Sequence, residues 1–167
     1  RCLEPDHIFY NAAISACEKG AQWQEALGLV SDMGLGSHMR LRRLAADVIT
    51  YSAAISACEK GAQWLAGLRV LSDMHVNSLQ PNAYTVGATI SACEKCTQWP
   101  SALRLFRDSH LTRLQPDVVI HNAAISACEK GAQHSEALAL FLNMRPLNLE
   151  PNAITYNAAI SACEKGA

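Results

Sequence analysis

Apolar residues recur along this chain with helical spacing, and the whole pattern then repeats. In the segment Val118–Lys130, turned by about 100° per residue, Ala124, Ile125 and Cys128 fall on one side with His121 and form the expected core. Ala123 and Ala127 make a narrow strip of small residues suited to close packing against an adjacent unit. Val119, Asn122, Ser126, Glu129 and Lys130 share the remaining face. Equivalent first helices are predicted at His7–Lys19, Val48–Lys60, Ala83–Lys95 and Ala153–Lys165. Each follows an Asp or Asn (Asp6, Asp47, Asn82, Asp117, Asn152) able to cap the free amides of a first turn. Pro5, Pro81, Pro116 and Pro151 stiffen four of these entries. Gly20, Gly61, Gly131 and Gly166 come after the last lysine and are expected to close the helices in a left-handed conformation. Cys96 replaces that glycine in the third unit, which predicts a slightly strained turn there.

A second helix is predicted in four units, at about Gln22–Met33, Gln63–Met74, Gln98–Ser109 and Gln133–Met144. Its apolar stripe reads Ala26, Leu27, Val30 in the first unit and Ala137, Leu138, Phe141 in the fourth. Pro100 falls in a first turn, where its missing N–H costs little. Trp23, Trp64 and Trp99 stand near the start of these helices, off the polar face, and are expected to pack between helices.

The period comes from the string Ser-Ala-Cys-Glu-Lys, which occurs five times, with its cysteines at Cys17, Cys58, Cys93, Cys128 and Cys163. The steps between them are 41, 35, 35 and 35 residues, the first being one period plus a 6-residue insertion. Asn11–Gln22 and Asn122–Gln133 are identical over twelve residues. A two-helix unit cannot bury its apolar stripe alone, but stacked neighbours bury it for one another, so an all-α array of hairpins, an α-solenoid, is predicted.

Composition narrows the function. The 167 residues are 50% hydrophobic and 17% charged, too apolar for a disordered tail. A net charge of −1 carries no global sign of nucleic-acid binding, so any such binding depends on where the charges sit. No apolar run is long enough to span a bilayer, and no membrane partner is expected. No leader pattern opens the chain, although a start at Arg1 leaves room for a removed segment. Seven cysteines, an odd count, argue against a disulfide framework, and the repeated ones are expected to be small core residues. Cys93 and Cys96 form a lone CxxC at a helix C-terminus, where neither a zinc site nor a thiol of low pKa is expected. No nucleophile–base, paired-carboxylate or phosphate-loop arrangement is present, and the six histidines share no spacing. No enzyme activity, catalytic residue, metal, cofactor or small-molecule substrate is therefore expected.

The 35-residue hairpin resembles the pentatricopeptide repeat (PPR) family. Val48-Ile49-Thr50-Tyr51-Ser52 and Ala153-Ile154-Thr155-Tyr156-Asn157 carry the family's opening. Gln24-Glu25-Ala26-Leu27 and Ser135-Glu136-Ala137-Leu138 carry its middle, and Glu150-Pro151-Asn152 its close. The tetratricopeptide repeat fits less well, because its first helix wants a core glycine where this chain has Ile14, Ile55, Ile90, Ile125 and Ile160. The resemblance implies a right-handed superhelix of stacked helix-turn-helix repeats. In that frame residues 1–6 end a preceding repeat, 7–47 are repeat 1 with the insertion, and 48–82, 83–117 and 118–152 are repeats 2 to 4. Residues 153–167 are then the first helix of a truncated repeat 5.

The resemblance also implies binding of single-stranded RNA, one base per repeat. The family's base readers are the fifth residue of the first helix and the last residue of the repeat. Here the pairs are Asn11 with Asp47, Ser52 with Asn82, Gly87 with Asp117 and Asn122 with Asn152, and Asn157 is a further first-helix reader. Ionised Asp only accepts, which suits the imino N–H of U and G, whereas Asn also donates, which suits A and C. In the family pattern Asn at the fifth position goes with pyrimidines and small residues with purines. The array then reads 5′-UAG[C/U]-3′. Ile8, Ile49, Tyr84, Val119 and Ile154 occupy the position that wedges between bases, where Tyr84 adds a stacking face worth about 1–3 kcal/mol. Lys19, Lys60, Lys95, Lys130 and Lys165 match the family's phosphate contacts, with Glu18, Glu59, Glu94, Glu129 and Glu164 beside them weakening the field. Family members act in mitochondria or plastids on RNA processing, stability, splicing, editing or translation, with other RNA-processing proteins as further partners.

Plainer roles stand beside these. The lysines also suit a solvated helix end, the Asp and Asn partners also suit capping, and Ser15, Ser56, Ser91, Ser126 and Ser161 suit close packing. Arg40, Arg42 and Arg43 make a basic loop in the insertion, either solvated or set against RNA backbone. The alternative function is a protein-binding helical scaffold without RNA recognition.

Overall fold

The computed structural model describes residues 6–35, 46–111, 114 and 117–166; Pro5, Pro116, Arg40, Arg42 and Arg43 lie outside them. Among the described residues there are nine α-helices and no strand: α1 (His7–Lys19), α2 (Trp23–Leu35), α3 (Val48–Lys60), α4 (Trp64–Val76), α5 (Ala83–Lys95), α6 (Trp99–Leu111), α7 (Val118–Lys130), α8 (His134–Met144) and α9 (Ala153–Gly166). The chain forms two compact units, Arg1–Pro81 and Asn82–Ala167. In the first, α1 packs on α2 and α3, α2 on α3, and α3 on α4. In the second, α5 packs on α6 and α7, α6 on α7, α7 on α8 and α9, and α8 on α9. Within each unit, a first helix thus lies on its own second helix and on the next first helix, the connectivity of an all-α helical-repeat solenoid.

The caps form at the expected residues. The Asp6 side chain accepts from Phe9 N, that of Asp47 from Thr50 N and that of Asn82 from Thr85 N. Asp117 accepts from Val119 N, and Asn152 from both Ile154 N and Thr155 N. Thr50 and Thr85 return the bond to the backbone N–H of Asp47 and Asn82, closing reciprocal capping boxes.

The turns differ from expectation. Gly20, Gly61 and Gly131 have φ of −86°, −80° and −85°, so none of them is left-handed. The left-handed residue is the next one: Ala21, Ala62, Thr97 and Ala132 have φ between 52° and 55°. A bond spanning five residues holds each turn, from Gln22, Gln63, Gln98 and Gln133 N–H to the carbonyls of Cys17, Cys58, Cys93 and Cys128, at 2.8–2.9 Å. Cys96, at φ −100°, consequently carries no backbone strain. The glycines answer to a neighbour instead. A Cβ on Gly61 would stand 2.5 Å from Trp23 Cδ1, and one on Gly131 would run into Trp99. Trp23 and Trp99 therefore pack between hairpins as expected, each against the turn of the next repeat. His134 takes the same place against Gly166.

The core follows the first helices. Ile14, Ile55, Ile90 and Ile125 are fully buried, as are Cys58, Cys93 and Cys128. Burial pushes each of these three thiols up to about 11, which leaves them protonated and inert at neutral pH. Cys163 is exposed and Cys17 half-buried, so the core role belongs to the inner cysteines. In α8 the buried stripe is Ala137, Leu140 and Met144 rather than Leu138 and Phe141, whereas the equivalent Leu103 and Phe106 of α6 are buried. Leu138 lies about 100–160° around the helix from those three residues and is exposed. Phe141 meets the edge of Tyr156 at 5.4 Å.

The glycine–tryptophan contact predicts opposite signs at two glycines. Gly61→Ala forces Trp23 out of place and should cost about 1–3 kcal/mol. Gly28→Ala, inside α2 with nothing within 4 Å, should gain about 0.5–1 kcal/mol. Urea unfolding of both variants measures the difference.

Candidate nucleic-acid interface

The second residue of every first helix is exposed. Ile8, Ile49, Tyr84, Val119 and Ile154 keep between 56% and 74% of their surface accessible, although all are large and apolar or aromatic. A folded chain has no internal reason to leave the same apolar position open five times.

One pair of the proposed base readers, Asn122 and Asn152, meets through a hydrogen bond. Asn122 Nδ2 donates to Asn152 Oδ1 at 3.3 Å, bringing the fifth residue of one first helix to the residue capping the next. Asn152 Oδ1 also takes the N–H of Ile154 at 3.0 Å and of Thr155 at 3.1 Å. Its amide N–H2 is thereby left as the outward-available group. Capping and reading are compatible, since each uses a different end of the carboxamide. Asp117 divides its carboxylate in the same way: Oδ1 accepts from Val119 N at 2.6 Å, and Oδ2 has no partner among the described residues. Gly87 contributes no side chain beside it.

The first pair is arranged differently. Asp47 Oδ1 accepts from Thr50 N at 2.8 Å, while Oδ2 pairs with His7 Nε2 at 3.0 Å. Burial pushes the Asp47 carboxyl up, but hydrogen bonds from Thr50 and the bond and charge of His7 outweigh it, and its pKa falls below the usual value. His7 sits one turn before Asn11 and occupies an oxygen that a base would need. No motif in the sequence marked His7, because only folding brings it to the next repeat's cap. Ser52 sends its hydroxyl to Val48 O at 2.5 Å, and Asn82 Oδ1 caps α5 through Thr85 N at 2.9 Å. Asn157 is exposed. Asn122, sorted by sequence onto the open face, retains only 9% exposure.

Lys60, Lys130 and Lys165 are tied to the glutamates of the preceding repeat. Lys60 Nζ lies 2.9 Å from Glu18 Oε1, and Ser56 Oγ donates to the same oxygen at 3.0 Å. Lys130 and Ser126 hold Glu94 Oε1, each at 3.0 Å. Lys165 and Ser161 hold Glu129 Oε1. The Lys165 hydrogen bond, helped by Ser161 against the effect of burial, holds the Glu129 carboxyl below its usual pKa. Ser56, Ser126 and Ser161 are therefore hydrogen-bond donors between repeats rather than mere small spacers. These lysines keep 38–50% of their side chains exposed, so a phosphate has access to them but meets a carboxylate already there. Lys19 is exposed with no acidic partner among the described residues, and Lys95 is also exposed. Among the described residues no group of three or more His, Cys, Asp or Glu is placed to hold a metal, and no helix is long and apolar enough to cross a membrane.

These repeats match known proteins. The model of the PPR repeat matches residues 8–35, and that of the PPR repeat family matches residues 116–165. The shared five-residue string carries the same unit through the stretch between them. Residues 8–35 and 116–165 are thus pentatricopeptide repeats. The fold of the chain is similar to the crystal structure of the pentatricopeptide repeat protein PPR10 from maize, with a TM-score of 0.78 at 18% identity over 95% of this chain. It is similar to PPR10 in complex with an 18-nt psaJ RNA element, with a TM-score of 0.79 at 22% identity, again over 95% of this chain. In both comparisons the chain spans 22% of the PPR10 chain. The PPR domain of Arabidopsis thaliana protein-only RNase P 1, in complex with tRNA, gives a TM-score of 0.76 at 15% identity over 98% of this chain and 86% of that one. No curated protein matches the chain significantly.

The lowered Asp47 pKa fixes the sign of a pH effect. The carboxylate contributes stability above its ordinary value of 3.8, and the contribution is lost as pH falls through the lower folded value. Thermal unfolding from pH 7 to pH 2 should show wild type more stable than Asp47→Asn at neutral pH, with the gap closing below pH 4.

Proposed function

We propose that this chain binds single-stranded RNA, its first-helix face reading one base per repeat. The observation that carries this is the grouping of Asn122 and Asn152, in contact at 3.3 Å, with the exposed apolar Val119 and Ile154 on the same two helices. A wedge against a base face and amide groups for a base edge are the two elements single-strand recognition needs. The similarity to PPR proteins solved with RNA supports the same reading.

The free groups at the caps agree with a readout by donor and acceptor. The Asn152 amide suits a base with a ring-nitrogen acceptor, and the open Asp117 oxygen suits an imino donor. The target is 5′-UAG[C/U]-3′, with Ser52 and Asn82 facing A, Gly87 and Asp117 facing G, and Asn122 and Asn152 facing the pyrimidine. Asn157 starts a further reading position. The U position is the weakest, since His7 competes for Asp47. Lys19, Lys60, Lys95, Lys130 and Lys165 contribute phosphate contacts that the glutamates moderate. By family resemblance the process served is organellar RNA processing, stability, editing or translation, in mitochondria or plastids.

Fluorescence anisotropy with a short single-stranded RNA containing UAGC tests the proposal against a scrambled RNA, a duplex and the DNA equivalent. Salt-sensitive preference for single-stranded UAGC is expected, and Asn82→Asp should move the second base from A toward G. Failure of the folded protein to bind at low salt would sink RNA binding and favour a protein-binding scaffold.

A second prediction concerns charge. Glu94→Gln releases Lys130 for phosphate, so RNA affinity should rise and the salt dependence should steepen by about 0.7 in log–log slope. An unchanged slope would show that Lys130 does not reach the RNA backbone.

A further inference from the structure

We propose that the buried hydroxyls of Thr50 and Thr155 are positioning groups for base recognition. Each locks the carboxamide of the preceding repeat's reader, Asn11 or Asn122, with its oxygen consumed inside the protein and its nitrogen side turned to the base, where Asn122 keeps one N–H beyond the one it gives to Asn152. The inference rests on the base-reading proposal and adds a residue outside the reader pairs.

Both threonines are fully buried. Each Oγ1 accepts the backbone N–H of the capping residue, Asp47 at 3.3 Å and Asn152 at 3.0 Å. Each then has one proton to place. Its nearest acceptor is the reader's Oδ1, at 2.6 Å in both repeats. The competing acceptors are farther, Asp47 Oδ1 at 2.8 Å and Asn152 Oδ1 at 3.1 Å, and both already accept backbone N–H groups.

The orientation of Asn122 is fixed independently. Turning its carboxamide over would set its oxygen 3.3 Å from Asn152 Oδ1, two acceptors with no proton between them. Asn152 cannot turn to relieve this, because its oxygen caps α9. The threonine and the cap therefore select the same rotamer from two sides.

The chain contains its own contrast. Where the reader is Gly87, the residue equivalent to Thr50 and Thr155 is Ile120, whose Cγ1 lies 3.7 Å from the position of a Gly87 Cβ. Helix α7 still forms over 13 residues, with Asp117 capping through Val119 N alone. A hydroxyl at this position is thus not needed to start the helix. Thr85, the equivalent residue of α5, donates its Oγ1–H to Asn82 O at 2.8 Å and still completes its capping box, so the cap does not need a carboxamide acceptor.

Thr155→Val removes the hydroxyl at nearly constant volume, and Thr155→Ser keeps it. In the RNA-free protein, the Asn122 side-chain 13Cγ and Nδ2–H2 resonances should shift in Thr155→Val and stay in Thr155→Ser. With RNAs varied at the fourth base, Thr155→Val should lose pyrimidine-over-purine preference about three- to tenfold, with the second base read as before. Thr155→Ser should retain it. Unshifted Asn122 resonances would overturn the lock. A uniform loss of affinity for all four bases would overturn the positioning role and make Thr155 a structural residue only. A wild-type protein that binds no RNA would sink base reading by itself, while the Asn122 resonances would still decide whether the hydroxyl locks the carboxamide.

Discussion

A helical hairpin of this length has more apolar surface than its own two helices can cover, and the structure depends on the next hairpin covering the rest. The dependence is visible within one sequence. Residues 122–130 and 157–165 are the same nine amino acids. In α7, with α8 against it and α5 and α9 on its flanks, Ile125 and Cys128 are fully buried. In α9, with no later helix among the described residues, Ile160 is 57% exposed and Cys163 is exposed. Burial of the isoleucine alone accounts for roughly 1.5–3 kcal/mol of transfer free energy. Neighbouring repeats therefore supply burial that a hairpin cannot provide for itself.

The same packing builds the interface. Repeats approach closely because alanines line the contact and because a glycine at the turn leaves room for Trp23 or Trp99. At that separation the polar residues of adjacent first helices come within hydrogen-bond reach. Serine and lysine of one repeat hold the glutamate of the one before, at one end of the helices. At the other end a buried threonine hydroxyl joins the capping residue to the fifth residue of the preceding first helix, Asp47 to Asn11 and Asn152 to Asn122. The charges are largely balanced by these pairs, so the face offers shape and hydrogen-bonding groups more than a strong positive field.

Much of this was legible in the residues. Period, helix limits, caps and the isoleucine core follow from local rules, because a cap bonds to its own first turn and a stripe obeys the helix repeat. The exposed second-position row was also legible, since its apolar residues fall on the polar side of a helical wheel. The turns misled because glycine suits two different demands, a left-handed backbone and a missing Cβ. Sequence cannot tell which applies until the tryptophan of another repeat is in place. The second-helix stripe misled at Leu138 and Phe141 because several apolar rows compete there, and only the packed neighbour chooses Leu140 and Met144.

By itself, then, the sequence determined the helices, their caps, their period and the residue types shown at each position, all set by interactions within a few residues. The tertiary structure alone decided which carboxylate takes which lysine, that His7 occupies Asp47, that Asn122 is buried against Asn152, and which end of its carboxamide remains free. Each of those joins residues about 30 to 40 positions apart, one repeat to the next, through contacts that exist only once two hairpins have stacked.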